Sequence, residues 1–267
     1  MKTFRELSEL NGRVALVTGG AGHLGRAFCR VLVELGCRVA VVDVQDSALE
    51  SFTVELNTLR KESSLSLAVD LRDTDAIRRL PNRVVEQWSR LDILVNNAAF
   101  VGTSKLPGWG VPFPQQEVEA WRSCLEVNLT APFVLAQACA TPLSSHGTGS
   151  IINISSIYGA LGPDLTLYEG TKMANPAAYG ASKGGLLQLT RYLATVLAPH
   201  VRVNAICPGG IARGQADEFV QRYEKRTPMG RMGDEGDFIG TLAYLASDLS
   251  RYVTGQVLMV DGGWSAW

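Results

Sequence analysis

The chain has 267 residues, 46% of them hydrophobic and 19% charged, enough apolar material to bury a full core. A formal net charge of −1 and a pI near 6.3 exclude the basic footprint of a nucleic-acid binder and offer nothing to an anionic membrane surface. Five cysteines, Cys29, Cys37, Cys124, Cys139 and Cys207, stand without C-x-x-C pairing in mostly apolar surroundings, which reads as buried thiols with no disulfide framework and no metal site. Neither a secretory signal nor a stretch of membrane-spanning length is found, so a cytoplasmic protein is expected. No linker or compositional break divides the chain, and residues 1–267 read as one domain.

Strand-like apolar runs at about 13–17, 38–43, 65–70, 91–95, 149–155, 201–206 and 256–260 alternate with amphipathic segments. That alternation predicts an α/β fold, a doubly wound, Rossmann-type parallel sheet of about seven strands with helices on both faces. The first run enters a turn with Gly19, Gly22 and Gly25, then a helix opening at His23 and Leu24. Such glycines permit a tight turn, close backbone approach to a phosphate and helix packing, while the helix start directs N–H groups at an anion. Methyltransferase loops use similar glycines, so the turn alone does not choose a dinucleotide.

The second run ends in Asp43, eighteen residues beyond Gly25, near the spacing that puts a carboxylate on the adenosine ribose hydroxyls. Capping the next helix is its alternative task. A carboxylate there repels a 2′-phosphate, and Val44 and Gln45 supply no cation, so NAD is expected rather than NADP. The third run ends in Asp70 and Leu71, where Asp70 reaches the adenine or caps the helix that begins near Asp73. Asn97 and Ala98, at the end of the fourth, are placed to line the adenine and ribose side while the asparagines hold the turn.

The second decisive stretch is Ile151–Ser156 followed by Tyr179 and Lys183, four apart and so on one face of a helix. Together with Cys207, Pro208 and Gly209 and the terminal run from Tyr252 to Gly263, the chain resembles the short-chain dehydrogenase/reductase family, compact NAD-dependent type, over nearly its whole length. The resemblance implies hydride transfer between a nicotinamide and a carbinol or carbonyl carbon, with Asn128, Ser156, Tyr179 and Lys183 as catalytic residues. It also implies that Tyr179, Lys183, Pro208, Gly209 and Ile211 touch the cofactor, and that Asn128 reaches the lysine through water. A tyrosine acting as a base near neutral pH needs its pKa lowered by roughly 2–3 units, and Lys183 and a bound cationic nicotinamide both act in that direction.

Three departures from the family pattern stand out. His23 replaces a glycine of the turn. Gly210, Ile211, Ala212 and Arg213 stand where a threonine is usual, and Arg213 reads as a surface cation or a contact for a substrate anion. Third, a long segment from Gly162 to Pro176 contains a second Y-x-x-x-K pair, Tyr168 and Lys172. Gly170 within that pair and Pro176 just after it punctuate the segment, whereas Tyr179 opens a periodic helix, so catalysis is assigned to Tyr179 and Lys183. Asp164, Thr166, Glu169, Lys172 and Asn175 read as a polar lip for hydroxyls or phosphate, and the segment resembles relatives associated with bacterial surface-sugar synthesis. Residues 214–232 have the character of a lid. Val257–Val260 with outward-looking Trp264 and Trp267 suggest a homotetramer. The alternatives are a 3-oxoacyl thioester reductase and a non-catalytic dinucleotide sensor.

Overall fold

Runs of Val, Ile, Leu and Ala that are apolar on both sides of the backbone can be satisfied only where both faces of a sheet are covered. The computed structural model, which describes residues 2–44, 47–101, 104 and 106–267, arranges seven such runs in one parallel sheet. They are β1 (Val14–Thr18), β2 (Arg38–Asp43), β3 (Ser64–Ala68), β4 (Ile93–Asn96), β5 (Gly149–Ile154), β6 (Val201–Pro208) and β7 (Val257–Val260). Their order is β3-β2-β1-β4-β5-β6-β7, with Leu16 of β1 between Ala40 and Leu94. The helices are α1 (Phe4–Ser8), α2 (His23–Glu34), α3 (Ser47–Leu59), α4 (Thr74–Trp88), α5 (Val118–Leu125), α6 (Ala131–Ser144), α7 (Ala177–Val196), α8 (Asp217–Arg226) and α9 (Gly236–Ala246).

The two-residue period of the strands sorts the core into two layers. Ala15, Val17, Val39, Val41, Ile93, Val95 and Ile152 pack against Phe28 and Leu32 of α2, Phe52 and Leu56 of α3, and Phe238 and Leu242 of α9. Val14, Leu16, Val42, Leu94, Ile151 and Val203 meet Ile77, Leu80 and Val84 of α4, Leu135 and Leu143 of α6, and Leu193 of α7. Each Val, Leu, Ile or Phe so buried contributes about 1.5–3 kcal/mol, so the strand ends are held firmly.

The chain runs outward from β1 to β3, then crosses back to β4 on the other side of β1. Strand order therefore reverses between β1 and β4, and a crevice opens beyond their C-terminal ends. The third strand stops at Ala68, short of the expected Asp70, because the Asp70 carboxylate accepts the Arg72 N–H and turns the chain. Asp73 caps α4 by accepting from Ala76 N at 2.9 Å, which removes the capping alternative for Asp70. All five cysteines are buried and unpaired. Among the described residues no helix is long and apolar enough to cross a membrane, and no group of three or more His, Cys, Asp or Glu could hold a metal ion. Trp264 departs from expectation: it is 3% exposed, stacked on Tyr223 of the same chain at 4.3 Å between ring centres. Trp267 is exposed.

Candidate active site

The crevice is a cleft of about 1150 Å³ across the C-terminal strand ends, larger than the roughly 300–1,000 Å³ of common ligand pockets. Its floor requires glycine at two points. Gly19 has φ +61°, and a Cβ there would stand 2.8 Å from the Ala98 Cα; a Cβ at Gly25 would stand 2.1 Å from the Gly19 carbonyl oxygen. Gly22 caps α2 with no side chain of its own, so the unpaired N–H groups of the helix start lie open to the cleft. His23 is exposed at that start and Leu24 is buried beneath it, and both line the cleft.

Asp43, at the tip of β2, lines the same end, accepting from Ala21 N at 3.0 Å and from Val44 N at 2.9 Å. It therefore braces the glycine turn from the neighbouring strand. Gln45, counted in the cofactor argument, lies outside the described residues. Asp70 and Leu71 also line this end, and bonding from Arg72 holds the Asp70 carboxyl below its ordinary range. Asn97 donates to the carbonyls of Thr18 and Gly19, each at 3.0 Å, while the Thr18 hydroxyl accepts from the backbone of Asn97 and Ala98. The asparagine thus locks the ends of β1 and β4 and lines the cleft between them.

Ser156, just past β5, is 6% exposed and lines the cleft with Tyr179, which stands in the first turn of α7. Burial holds the Tyr179 phenol above the ordinary tyrosine value, and the nearby Ser156 hydroxyl works against the rise. Lys183, one turn further, is 2% exposed; its Nζ donates to the Ile154 carbonyl at 2.7 Å and lies 5.8 Å from the centre of the Tyr179 ring. Burial pushes it down to about 8. The three groups meet as expected, with the Lys183 ammonium aimed at a strand carbonyl beside the tyrosine ring.

Asn128 is held by direct bonds of its side chain. It is buried in a π-turn (Glu126–Thr130) between α5 and α6, a form of helix frequent at functional sites. Its Oδ1 accepts from Phe100 N, and its Nδ2 donates to the Phe100 carbonyl and to Ser182 Oγ. The side-chain amide thus positions the loop after β4 and the first turns of α7.

The second Tyr/Lys pair does not share a helix face. Tyr168 closes a 3-10 turn (Leu165–Tyr168), Gly170 follows with φ +73°, and Lys172 is exposed in non-helical chain. Nor is the segment a loose lip. The Asp164 carboxylate accepts from Thr166 and from Arg226 at 2.8 Å, and the Arg222 guanidinium donates to the carbonyls of Thr166, Leu167 and Glu169. Of the five polar residues expected at the mouth, only Lys172 and Asn175 line the cleft. Sequence reasoning missed Tyr158, whose hydroxyl lies 3.2 Å from that of Tyr168, and Phe219 of α8, whose ring lies 5.2 Å from the Tyr168 ring. The Ser156 side chain caps a 3-10 turn over Ile157–Gly159, and that capping pattern is the one local signal that could have placed Tyr158.

Pro208 closes β6, Gly209 N donates to the Val260 carbonyl, and Ile211 pairs with Gly233, bringing all three to the cleft. Arg213 is exposed at the rim and pairs with Glu235 at 3.3 Å.

The family described as enoyl-(acyl carrier protein) reductase is matched over residues 19–265. The chain belongs to the short-chain dehydrogenases/reductases. It is 34% identical over 265 residues to 2-dehydro-3-deoxy-D-gluconate 5-dehydrogenase of Escherichia coli, covering 96% of this chain and 97% of that one. It is 31% identical over 257 residues to post-translational flagellin modification protein A of Campylobacter coli, covering 96% and 99%. A 3-oxoacyl-[acyl-carrier-protein] reductase of Thermotoga maritima is likewise 31% identical, over 95% and 98%. The short-chain dehydrogenase of Leptospira borgpetersenii, solved with bound NAD+, superposes with a TM-score of 0.84 at 31% identity, over 99% of this chain and 96% of that one. This short-chain dehydrogenase/reductase is an oxidoreductase acting on CH–OH groups.

Proposed function

We propose that this enzyme interconverts a polar, sugar-like secondary alcohol and its ketone with NAD as the hydride partner and Tyr179 as general acid/base. The observation that carries the reading is the meeting of Ser156, Tyr179 and Lys183 in the same cleft as the glycine turn and Asp43. The reading takes residues 1–267 as one nucleotide-binding domain working in the cytoplasm.

The cradle fits a dinucleotide, since its backbone closes so tightly at Gly19 and Gly25 that a Cβ at either would clash with it, and the start of α2 offers N–H groups to a pyrophosphate. When bound, NAD supplies the two-electron acceptor and a positive ring close to the reacting carbon. Gly19, Gly22, His23, Leu24 and Gly25 would hold its phosphates; Asp43, Asp70, Leu71, Asn97 and Ala98 its adenosine; Pro208, Gly209 and Ile211 its nicotinamide side. In the oxidative direction Ser156 bonds the carbinol oxygen, and Tyr179 takes the hydroxyl proton as the C–H electron pair leaves and the C=O bond forms. Because burial keeps the phenol protonated with the protein's own groups alone, its ionisation is tied to arrival of the cationic cofactor. Lys183 serves the ribose and adds positive potential beside Tyr179. Asn128 positions the scaffold beneath them.

Reduction of 3-oxoacyl thioesters is the second reading, supported by relatives of that name and by the apolar part of the cleft wall. The carboxylate of Asp43 opposes the NADPH preference usual for that chemistry. A panel of polyols, sugars, sugar acids, hydroxy acids and 3-oxoacyl thioesters, followed by NADH absorbance, tests the proposal. Turnover of a secondary alcohol with NAD supports it; turnover confined to 3-oxoacyl thioesters with NADPH overturns it.

A further inference from the structure

Hydrogen-bond accounting at the substrate end of the cleft leaves one donor unspent. The hydroxyls of Tyr158 and Tyr168 are 3.2 Å apart, and Asn175 Nδ2 donates to the Tyr168 hydroxyl at 3.3 Å. Two phenolic hydrogens are present and the bond between the hydroxyls uses one of them. Whichever ring donates, the other keeps a hydrogen with no acceptor among the described residues, on a wall that lines the cleft. An unpaired donor in a partly dry site favours a ligand that brings an acceptor.

The charges around the cleft point to what that acceptor is. Four Lys or Arg side chains line it among the described residues. Arg72 is paired with Asp70, Arg213 with Glu235, and Lys183 donates to the Ile154 carbonyl. Lys172 alone has no ion pair or hydrogen bond among the described residues. The two acids that line the cleft, Asp43 and Asp70, stand at the opposite, adenosine end. The cleft therefore carries both an unpaired cation and a spare phenolic hydrogen on residues of one wall segment, while its two lining carboxylates belong to the adenosine end.

We infer that Lys172 and the Tyr158–Tyr168 pair, oriented by Asn175, recognise a carboxylate on the substrate, so that the alcohol oxidised at Tyr179 is a hydroxy acid. This rests on the dehydrogenase reading above and narrows its substrate class. Lys172 supplies charge and the phenol supplies direction, while Phe219 and Met173 enclose the carbon skeleton between carboxylate and carbinol. The second Tyr/Lys pair thus binds substrate rather than performing acid/base chemistry.

The test compares acids with their uncharged amides: cis-4-hydroxycyclohexanecarboxylate against its carboxamide, and gluconate against gluconamide, as kcat/KM with NAD. At least one acid should be preferred by about tenfold or more, mainly through KM, as for a charge-assisted contact. Lys172→Gln and Tyr158→Phe should each weaken turnover of that acid about fivefold or more beyond their effect on its amide. Equal efficiency for acids and amides, or turnover confined to uncharged alcohols, overturns the inference and leaves the dehydrogenase reading standing. If no alcohol of any kind is oxidised although NAD binds, the dehydrogenase reading fails. Fluorescence titration of the NADH complex with cyclohexanecarboxylate then judges the carboxylate site separately. Saturable binding weakened in Lys172→Gln supports it, and no binding, or binding equal to that of cyclohexanecarboxamide, overturns it.

Discussion

At the residue scale, the Asp43 carboxylate holds the glycine turn through Ala21 N and, in the proposed reading, holds the ribose of NAD. Asp43→Ala is expected to weaken NAD binding and to reduce the preference for NAD over NADP about tenfold or more by calorimetric titration, by removing charge repulsion and acceptors together. Tighter binding of NADP by the unmodified protein would refute the cofactor assignment. Lys183 gives a prediction in pH. Burial takes it from 10.5 to about 8 in the fold, so between those values the unfolded chain holds a proton that the folded chain has released. Unfolding free energy should then rise with pH across that window, by about 3 kcal/mol in full, relative to Lys183→Met, which lacks the group. Chemical denaturation of both proteins at pH 7.5 and pH 10 measures it; parallel curves would contradict the buried ammonium. Ser156, Tyr179 and Lys183 were legible because their relation is local to one strand end and one helix turn. Tyr158 was not, because its task comes from a hydroxyl ten residues away that only the folded segment brings close.

At the element scale, the segment from Gly162 to Pro176 and helix α8 form one body. Arg222 collects three carbonyls of the segment, Arg226 pairs with Asp164, and the rings of Tyr168, Phe219, Tyr223 and Trp264 follow one another from the cleft wall to the chain's end. The polarity of Asp164, Thr166 and Glu169 was visible in sequence and suggested a lip. What sequence could not display is that two arginines fifty to sixty residues later satisfy those groups and turn most of them away from the cleft. Arg222→Ala should therefore loosen the substrate wall without touching the nucleotide cradle. The expectation is a KM raised several-fold with kcat less affected, and faster hydrogen exchange confined to about residues 164–176. Unchanged exchange there would show that the arginine contacts do not hold the segment. Strand positions were read from apolar runs to within about two residues, since runs buried on both faces have few other solutions; the ends moved where side chains such as Asp70 redirect the backbone.

For the whole molecule, the reversal of strand order between β1 and β4 explains why residues as distant as Gly19, Asp43, Ser156, Tyr179 and Pro208 line one cleft. The edge strand β7 is only half-buried and Trp267 at the chain's end is exposed, so this region is expected to join copies in a homotetramer with two-fold axes. Light scattering at micromolar concentration checks this, and a monomeric mass would contradict it. The central claim is that Tyr179, not Tyr168, exchanges the proton. Its most direct test is the steady-state kcat and KM of Tyr179→Phe and Tyr168→Phe on a substrate found in the panel, with NAD binding measured alongside. Tyr179→Phe should lose roughly 10²–10⁴-fold in kcat while NAD binding is largely kept, and Tyr168→Phe should raise KM more than it lowers kcat. A crippled kcat in Tyr168→Phe with near-normal turnover in Tyr179→Phe would contradict the account.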